Sequence, residues 1–315
     1  ARHHLTEHEA YLANDARDRR VSGRKANLSP TTVARYLNPV KSALEWGESV
    51  ELLSVNPART WKIAQTPPPE RPHFEQADAA RFITAVKDST WAPHLLTLTS
   101  TGMRLSELRG LRWTDVDLDA GTYQIQQQWQ TVMEQQKQPD GALKWRATDV
   151  RRGAPKSRAG IRGGGIPAAV CEVLRTWRTR QKEARLAAGR RWKDPFGGAL
   201  LFANDTGQPF NTFTLRAHFY RLCAREQLPK LSIHDLRHSY VTLSLGAGVA
   251  EHLVPMLAGH SPRVDALVYR HKTARQGKEA SELLWGFVAG DRAPQKAPDP
   301  PKVVPYQIEK RSAPT

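Results

Sequence analysis

The sequence predicts a mainly α-helical protein with a small antiparallel β-sheet, divided into two folded units. Apolar residues recur at helical spacing in several stretches. Within residues 121–165, by contrast, apolar residues alternate with polar ones or stand singly among polar residues, which is typical of strands and turns. A proline-rich run at residues 65–74 separates two parts of the chain. The length of 315 residues also exceeds what a single compact core usually serves, so two domains are expected.

The first unit, residues 1–64, is predicted to be a small helical domain. Ser29 followed by Pro30 is a strong helix start, because serine caps the free backbone N–H groups and proline fits the first turn. Apolar residues then recur at helical spacing up to Leu44, and Pro39 within them is expected to kink or shorten the helix. Basic residues before and within this helix indicate that the unit contacts DNA.

The connector and the end of the chain are distinguished by their prolines. The run QTPPPERPHF at residues 65–74 holds four prolines among ten residues and has no apolar period, so it is predicted to be a stiff, extended linker. The second unit is predicted to span residues 75–290. Residues 291–315 are rich in proline and lysine and cannot bury a core, so they are predicted to form a disordered tail.

Within the second unit, the order of helices and strands follows from changes in the spacing of apolar residues along the sequence. One strand is predicted within residues 121–132, and two short strands joined by basic turns within residues 137–165. Amphipathic patterns predict helices within residues 75–118, 167–177, 212–222 and 233–290. The second unit is therefore expected to be a set of helices around a minor sheet.

The charge balance indicates a polyanionic partner. The chain carries 47 Lys and Arg against 31 Asp and Glu, for a formal net charge of +16. A histone-like or ribosomal protein is disfavoured by 39% apolar residues and nine tryptophans. No apolar run is long enough to span a bilayer, so a cytoplasmic, DNA-associated protein is expected. Cys171 and Cys223 are far apart in apolar patterns, which predicts neither a disulfide nor a cysteine zinc site.

The segment with the most chemistry lies near the C-terminal end of the second unit. HDLRH at residues 234–238 opens an apolar-periodic helix, LAGHS follows at residues 257–261, and Tyr269 comes nine residues after His260. Cutting a DNA strand requires a nucleophile, cations around the phosphate oxygens and an acid for the leaving oxygen. Neither a phosphate-binding glycine-rich loop nor a set of paired carboxylates competes with this segment.

In this order the motifs resemble those of the tyrosine recombinase, or phage integrase, family. GMRLSEL at residues 102–108 is similar to the family's first arginine motif, and PKS at residues 155–157 to its lysine on a β-hairpin. SPTTV at residues 29–33 is similar to a helix start in the family's core-binding domain. Each motif alone is weak, but their shared order is specific, and the resemblance covers roughly residues 27–285. It implies a helical core-binding domain followed by a tyrosine-recombinase-like catalytic domain.

The resemblance also implies a role for each site residue. Tyr269 is the nucleophile, while Arg104 and Arg237 present planar forks of donors to the scissile phosphate. His234 and His260 hydrogen-bond the same phosphate, and His234 is the expected acceptor of the tyrosine proton.

The remaining implied role is that of the general acid. Lys156 is suited to protonate the leaving 5′ oxygen, which an arginine with its very high pKa scarcely can do. Energy is stored in the phosphotyrosine bond, so neither a metal nor another cofactor is expected. The predicted catalytic set is Arg104, Lys156, His234, Arg237, His260 and Tyr269.

The resemblance implies a site-specific DNA recombinase with double-stranded DNA attachment sites as partners and a homotetramer on DNA, and it leaves the need for accessory DNA-bending proteins open. Two alternatives remain. A type IB topoisomerase-like relaxing enzyme is disfavoured by the core-binding segment before the linker. A DNA-binding regulator that keeps the fold without turnover is disfavoured by the complete catalytic set. Integrases commonly carry a further N-terminal DNA-binding domain, for which residues 1–26 are too few.

Overall fold

A computed structural model divides the chain into two compact units, Ala1–Glu70 and Arg71–Thr315. Both units are built from helices, and the strands are few and antiparallel. This confirms the predicted fold class, mainly α with a small antiparallel β component. The structure describes residues 2–14, 28–62, 72–138, 141, 143–152, 162–194, 198–259 and 270–290.

The first unit contains helices α1 (Arg2–Asn14) and α2 (Pro30–Ser49). Helix α2 starts as the sequence predicts, with the Ser29 hydroxyl accepting a hydrogen bond from the backbone N–H of Thr32 at 3.3 Å. The helix then runs through Pro39 without interruption to Ser49. Its buried side chains pack with those of the segment that follows it, in a small core of Val33, Leu37, Ala58 and Trp61.

The second unit holds eight helices within the part of the chain that the structure describes. Their positions agree with the helical patterns of the sequence, and short 3-10 turns occur at Trp113–Asp115 and Gly189–Arg191. The helices are α3 (Gln76–Val86), α4 (Ala92–Thr101), α5 (Leu105–Gly110), α6 (Ala168–Ala188), α7 (Thr212–Arg225), α8 (Asp235–Gly246), α9 (Leu253–Ala258) and α10 (Arg270–Val288). None of the described helices is both long and apolar enough to cross a membrane.

The strands form two separate antiparallel sheets where the sequence predicted one. A three-stranded sheet has the order β1 (Val116–Asp117), β2 (Thr122–Gln124) and β5 (Gly163–Gly165), and a two-stranded sheet pairs β3 (Gln128–Lys137) with β4 (Leu143–Arg152). Residues 137–165 hold two strands as predicted, β4 and the three-residue β5, although β4 is ten residues long rather than short. The prediction of a single strand within residues 121–132 is wrong, because β2 and the start of β3 both lie there. The error has a physical reason: the outer part of β3 is exposed on both faces and so carries no apolar alternation.

Helix α4 lies at the centre of the second unit, and all ten of its residues are buried. Its threonines can be buried because each hydroxyl donates to a backbone carbonyl one turn earlier. Thr97 bonds to Pro93 at 2.7 Å and Thr99 to Leu95 at 2.8 Å. The helix therefore provides a rigid support for the residues that follow it, beginning with Gly102.

Candidate active site

The turn after α4 brings Arg104 to the start of α5. Gly102 ends α4 in the left-handed region at φ 60°, where glycine is favoured. A Cβ atom on Gly102 would also collide with the ring of Tyr240 on α8. Two independent restrictions, the backbone angle and the close approach of Tyr240, therefore select glycine at this position.

Arg104 is held by Glu107, one turn further along α5. The Glu107 carboxylate accepts a hydrogen bond from the Arg104 backbone N–H at 2.7 Å and another from its guanidinium at 2.9 Å. The guanidinium also lies 3.4 Å from the carbonyl oxygen of Gly259. The side chain of Arg104 is 40% exposed, so it retains donors that an incoming anion can reach.

Arg162, which the sequence analysis did not single out, is the main partner of Glu107. Its two terminal nitrogens donate to the two carboxylate oxygens at 3.0 and 2.8 Å, and its Nε donates to the carbonyl of Leu257 at 2.9 Å. Burial alone would raise the pKa of Glu107, but the hydrogen bonds and charge of Arg162, and then of Arg104, outweigh it and lower the pKa. The Glu107–Arg162 pair is therefore ionised and buried. In the sequence, Arg162 looks like one of many cations in a basic stretch.

Arg237 approaches the same place from α8. Its guanidinium donates to the carbonyl oxygen of Gly102 at 2.7 Å, and the residue is only 2% exposed. Burial, followed by the charges of Arg104 and Arg162, lowers the pKa of Arg237 to about 10, so it stays cationic at neutral pH. Three arginines thus lie near one carboxylate, which leaves a net positive charge.

The end of helix α9 also adjoins these arginines. Gly259 has a φ of 72°, and a Cβ atom there would lie 2.7 Å from a terminal nitrogen of Arg162. The backbone at Gly259, just before the predicted catalytic residue His260, therefore passes directly over the guanidinium of Arg162. Of the predicted catalytic residues, Lys156, His260 and Tyr269 lie outside the residues that the structure describes.

His234 lies immediately before α8 and is exposed. Its ring packs edge to face against that of His238, with centroids 5.5 Å apart. The turn that positions His234 is held by Asp235, whose carboxylate accepts from the backbone N–H and hydroxyl of Ser232 at 2.8 and 2.7 Å. The structure therefore places Arg104 at the start of α5, and His234 and Arg237 at the start of α8.

An open cavity of about 590 Å³ with a mixed polar and apolar lining lies beside α5, but it is not lined by Arg104, Arg237 or His234. Arg109 forms part of its wall, and its guanidinium is anchored to the carbonyl of Phe210 at 3.2 Å and the hydroxyl of Thr131 at 3.2 Å. Among the described residues, no group of three or more His, Cys, Asp or Glu side chains is arranged to hold a metal ion.

Comparison with known proteins identifies the family to which this chain belongs. Residues 74–276 match the phage integrase family, which is more than half of the chain. The chain belongs to the phage integrase family, whose members include the tyrosine recombinases that the sequence motifs resemble.

Particular relatives are bacterial recombinases and integrases. The chain is 26% identical to a XerC-like tyrosine recombinase of Caldanaerobacter subterraneus subsp. tengcongensis, over 81% of this chain and 66% of the relative. It is 31% identical to an integrase of Streptomyces ambofaciens, over 62% of this chain and 48% of the relative. The chain therefore spans between about half and two thirds of the length of these relatives.

Solved structures show the same fold. The Tn1549 transposon integrase in complex with transposon right end DNA superposes with a TM-score of 0.60 at 20% identity, covering 82% of this chain and 77% of that one. The XerH recombinase bound to palindromic difH substrate gives a TM-score of 0.52 at 20% identity, covering 88% and 71%. At these identities, the likeness concerns the arrangement of helices and strands.

Proposed function

We propose that this chain is a site-specific DNA recombinase that cleaves and rejoins DNA strands through a 3′-phosphotyrosine, and so integrates or excises a mobile element. One observation carries the proposal: Arg104, Arg162 and Arg237 lie around a single carboxylate, with Arg104 partly exposed. A scissile phosphate brings negative charge that this cluster can balance, and planar guanidinium groups match its oxygens. The family membership and the DNA-bound structural relatives support the same reading.

In the proposed reaction, the Tyr269 oxygen attacks phosphorus and its proton passes to His234. The bond from phosphorus to the 5′ oxygen breaks, and that oxygen takes a proton from Lys156. Arg104, Arg237 and His260 stabilise the charge that grows on the nonbridging oxygens. The products are a 3′-phosphotyrosine and a free 5′ hydroxyl. Rejoining is the reverse, with the 5′ hydroxyl of a partner strand attacking phosphorus and releasing Tyr269.

Arg104 and Arg237 contribute differently because their exposure differs. Arg104 offers free donors at the surface, whereas Arg237 is almost fully covered beside it. In a site of low dielectric constant, each hydrogen bond from Arg237 to a phosphate oxygen is stronger than the same bond in water. The Glu107–Arg162 pair positions Arg104 without contacting the DNA itself.

The proposed organisation extends to the whole chain. Residues 1–64 form a helical core DNA-binding domain, residues 65–74 a linker, residues 75–290 the catalytic domain and residues 291–315 a disordered tail. The partners are double-stranded DNA attachment sites, on which four copies of the chain assemble; accessory DNA-bending proteins are an optional addition. The net charge of +16 makes binding depend largely on phosphate contacts, so affinity should fall steeply with added salt.

The test is to trap the covalent intermediate. Tyr269→Phe is used to select binding sites from a random-sequence duplex library, and the selected sites are then prepared as nicked suicide substrates. Wild-type protein should form an adduct with DNA that survives a denaturing gel, and Tyr269→Phe should form none although it binds the same duplex. Tyr220→Phe is the matched control, because Tyr220 is an exposed tyrosine on α7 and should leave the adduct unchanged.

The other outcomes identify the alternatives. Site binding without an adduct in the wild type contradicts the proposal and favours a DNA-binding regulator without turnover. An adduct formed by a single protomer on duplexes of any sequence, with relaxation of supercoiled plasmid, favours a type IB topoisomerase-like enzyme. An adduct that persists in Tyr269→Phe shows that another residue is the nucleophile.

A further inference from the structure

Strand β5 consists of three consecutive glycines, and each of them lies against another part of the chain. A Cβ atom on Gly163 would be 3.0 Å from the carbonyl oxygen of Tyr123, and one on Gly164 would be 2.6 Å from the hydroxyl oxygen of the same tyrosine. A Cβ atom on Gly165 would overlap the carbonyl oxygen of Gly277 on α10. Glycine weakens the interior of a strand and often marks a place where another backbone approaches closely, as α10 does here.

The partner of β5 on α10 is Gly277, and its position is restricted in the same way. A Cβ atom on Gly277 would lie 2.9 Å from the backbone nitrogen of Gly165 and 3.0 Å from the Cα atom of Gly164. Glycine is less favourable than alanine within a helix, so helix formation alone gives no reason for glycine here. The close contact of the two backbones gives the reason, because a side chain at this position would push α10 away from β5.

The contact between β5 and α10 joins the two parts of the chain that carry the predicted chemistry. The arginine cluster consists of Arg104, Arg162 and Arg237. Arg162 directly precedes β5 and is three strand residues, or about 10 Å, from Gly165. Tyr269 directly precedes α10 in the sequence, and Gly277 is seven helix residues, also about 10 Å, from the start of that helix. One contact therefore links the arginine cluster to the helix that follows the predicted nucleophile.

The direction of α10 is shown by a second contact near its end. The ring of Phe287 lies against Gly246, where a Cβ atom would be 3.4 Å from the ring atom Cζ. Gly246 is the last residue of α8, whereas Arg237 lies in the first turn of that helix. From Phe287 to Gly277, α10 therefore runs from the far end of α8 to the strand beside Arg162. Its first residues continue in that direction, toward the arginine cluster.

We propose that Gly277 is a positioning residue for strand cleavage, whose close contact with Gly165 holds α10 at the depth from which Tyr269 attacks the phosphate. This inference rests on the proposed function, because it takes Tyr269 as the nucleophile. A misplacement of about 1 Å can slow a reaction about a hundredfold, even when the altered residue is remote from the reacting atoms. A shift of α10 would therefore slow attack, while Arg104 and Arg237 keep their places on α5 and α8.

The experiment compares Gly277→Ala with the wild type in two measurements on the suicide duplex. Single-turnover adduct formation at saturating protein should be about tenfold slower, because the added methyl group forces α10 and β5 apart. Affinity is measured by anisotropy with both proteins also carrying Tyr269→Phe, so that no cleavage occurs, and should stay within about twofold. Gly165→Ala, whose methyl group overlaps α10 more deeply, should slow adduct formation further.

The matched control for a general loss of stability is Ala280→Gly. Ala280 is buried on α10, three residues after Gly277, and glycine there removes a buried methyl group and weakens the helix without pushing it away from β5. Thermal denaturation should show a lower melting temperature for this variant, while its rate of adduct formation stays near that of the wild type. Equal slowing in Ala280→Gly and Gly277→Ala would mean that the rate reports only the stability of α10, which overturns the inference.

A modified duplex separates attack by the nucleophile from protonation of the leaving group. Sulfur in place of the 5′ oxygen at the scissile phosphate gives a leaving group that needs no proton from an acid. On this duplex Lys156→Ala should recover most of its lost rate, whereas Gly277→Ala should remain about tenfold slower than the wild type. Recovery of Gly277→Ala would assign its defect to the leaving group and contradict a role in positioning Tyr269.

The outcomes also separate this inference from the proposed function. An adduct in the wild type, formed at the same rate by Gly277→Ala, overturns the inference and leaves the proposed function intact. Duplex binding without an adduct in the wild type overturns both. A loss of affinity as large as the loss of rate would show that the contact supports DNA binding as a whole, and this result also overturns the inference.

Discussion

The carboxylate of Glu107 receives both terminal nitrogens of Arg162, at 3.0 and 2.8 Å, and both side chains are at most 5% exposed. The same carboxylate holds the backbone and side chain of Arg104. One buried acid therefore joins α5 to the strand region before β5 and sets the orientation of the exposed arginine. The orientation of Arg104 therefore depends on an ion pair that is itself buried.

The first prediction concerns the stability of this ion pair. Glu107→Gln leaves the Arg162 charge buried and uncompensated, so we expect it to lower the free energy of unfolding by about 3–5 kcal/mol. Urea denaturation at neutral pH measures the loss. Asp78→Asn breaks the more exposed pair with Arg81 and should cost at most about 1 kcal/mol. Equal losses in the two variants would contradict the structural role of Glu107.

The second prediction concerns the charge of Arg237. Burial and the neighbouring arginines lower its pKa to about 10, and the wild type therefore keeps this cation throughout the neutral range. Lysine has a lower ordinary pKa, about 10.4. The same environment should lower the pKa of the lysine in Arg237→Lys to about 8. Its rate of adduct formation should fall as pH rises from 7 to 9, because the neutral amine cannot hold the phosphate.

The pH profile of adduct formation on the suicide duplex checks this expectation. Arg221→Lys, at an exposed position of α7, should keep the wild-type profile. A flat profile for Arg237→Lys, equal in shape to that of the wild type, would show that residue 237 does not bear the required charge.

The third prediction concerns the turn that delivers Arg104. Gly102→Ala combines a left-handed backbone angle with a collision against the Tyr240 ring, so we expect a loss of about 2–4 kcal/mol. Gly290→Ala is the matched control, because Gly290 also has a positive φ, of 88°, but its Cβ would meet open space. It should cost about 1 kcal/mol from the backbone angle alone. Thermal denaturation of both variants separates the collision from the backbone strain.

The fourth prediction concerns a buried histidine outside the candidate site. His94 on α4 is packed among the rings of Trp91, Phe202 and Phe210, with centroid distances of 4.5 to 4.8 Å, and burial lowers its pKa to about 3. The unfolded chain takes up this proton near pH 6.5, whereas the folded chain does not. Stability should therefore fall as pH decreases from about 6.5 toward 3, by about 2 kcal/mol between pH 6.5 and 5.

Urea titrations at pH 7 and pH 5 test the assignment by comparing the wild type with His94→Phe, which lacks the titrating group. The variant should lose less stability than the wild type between the two pH values. His252→Gln changes an exposed histidine and should lose as much as the wild type. An unchanged pH dependence in His94→Phe would mean that His94 does not carry the effect.

Much of the fold was predictable because a helix depends on residues that are close together in the sequence. The spacing of apolar residues located the helices of the second unit, and the serine–proline start of α2 was predicted from two adjacent residues. Arg104, His234 and Arg237 could be nominated in the same way, since each lies in a short motif. Their catalytic roles, with those of Lys156, His260 and Tyr269, remain predictions.

By itself, the sequence determined the helical class, the basic charge and the motifs that nominate the candidate residues, because these depend on neighbours along the chain. Tertiary structure decided that Arg162, 55 residues from Glu107, completes the arginine cluster. It also decided that Tyr240 closes over Gly102 and that β3 and β4 separate into a ribbon with an exposed apolar face. Such features follow from partners distant in sequence and from burial, which a local pattern does not encode.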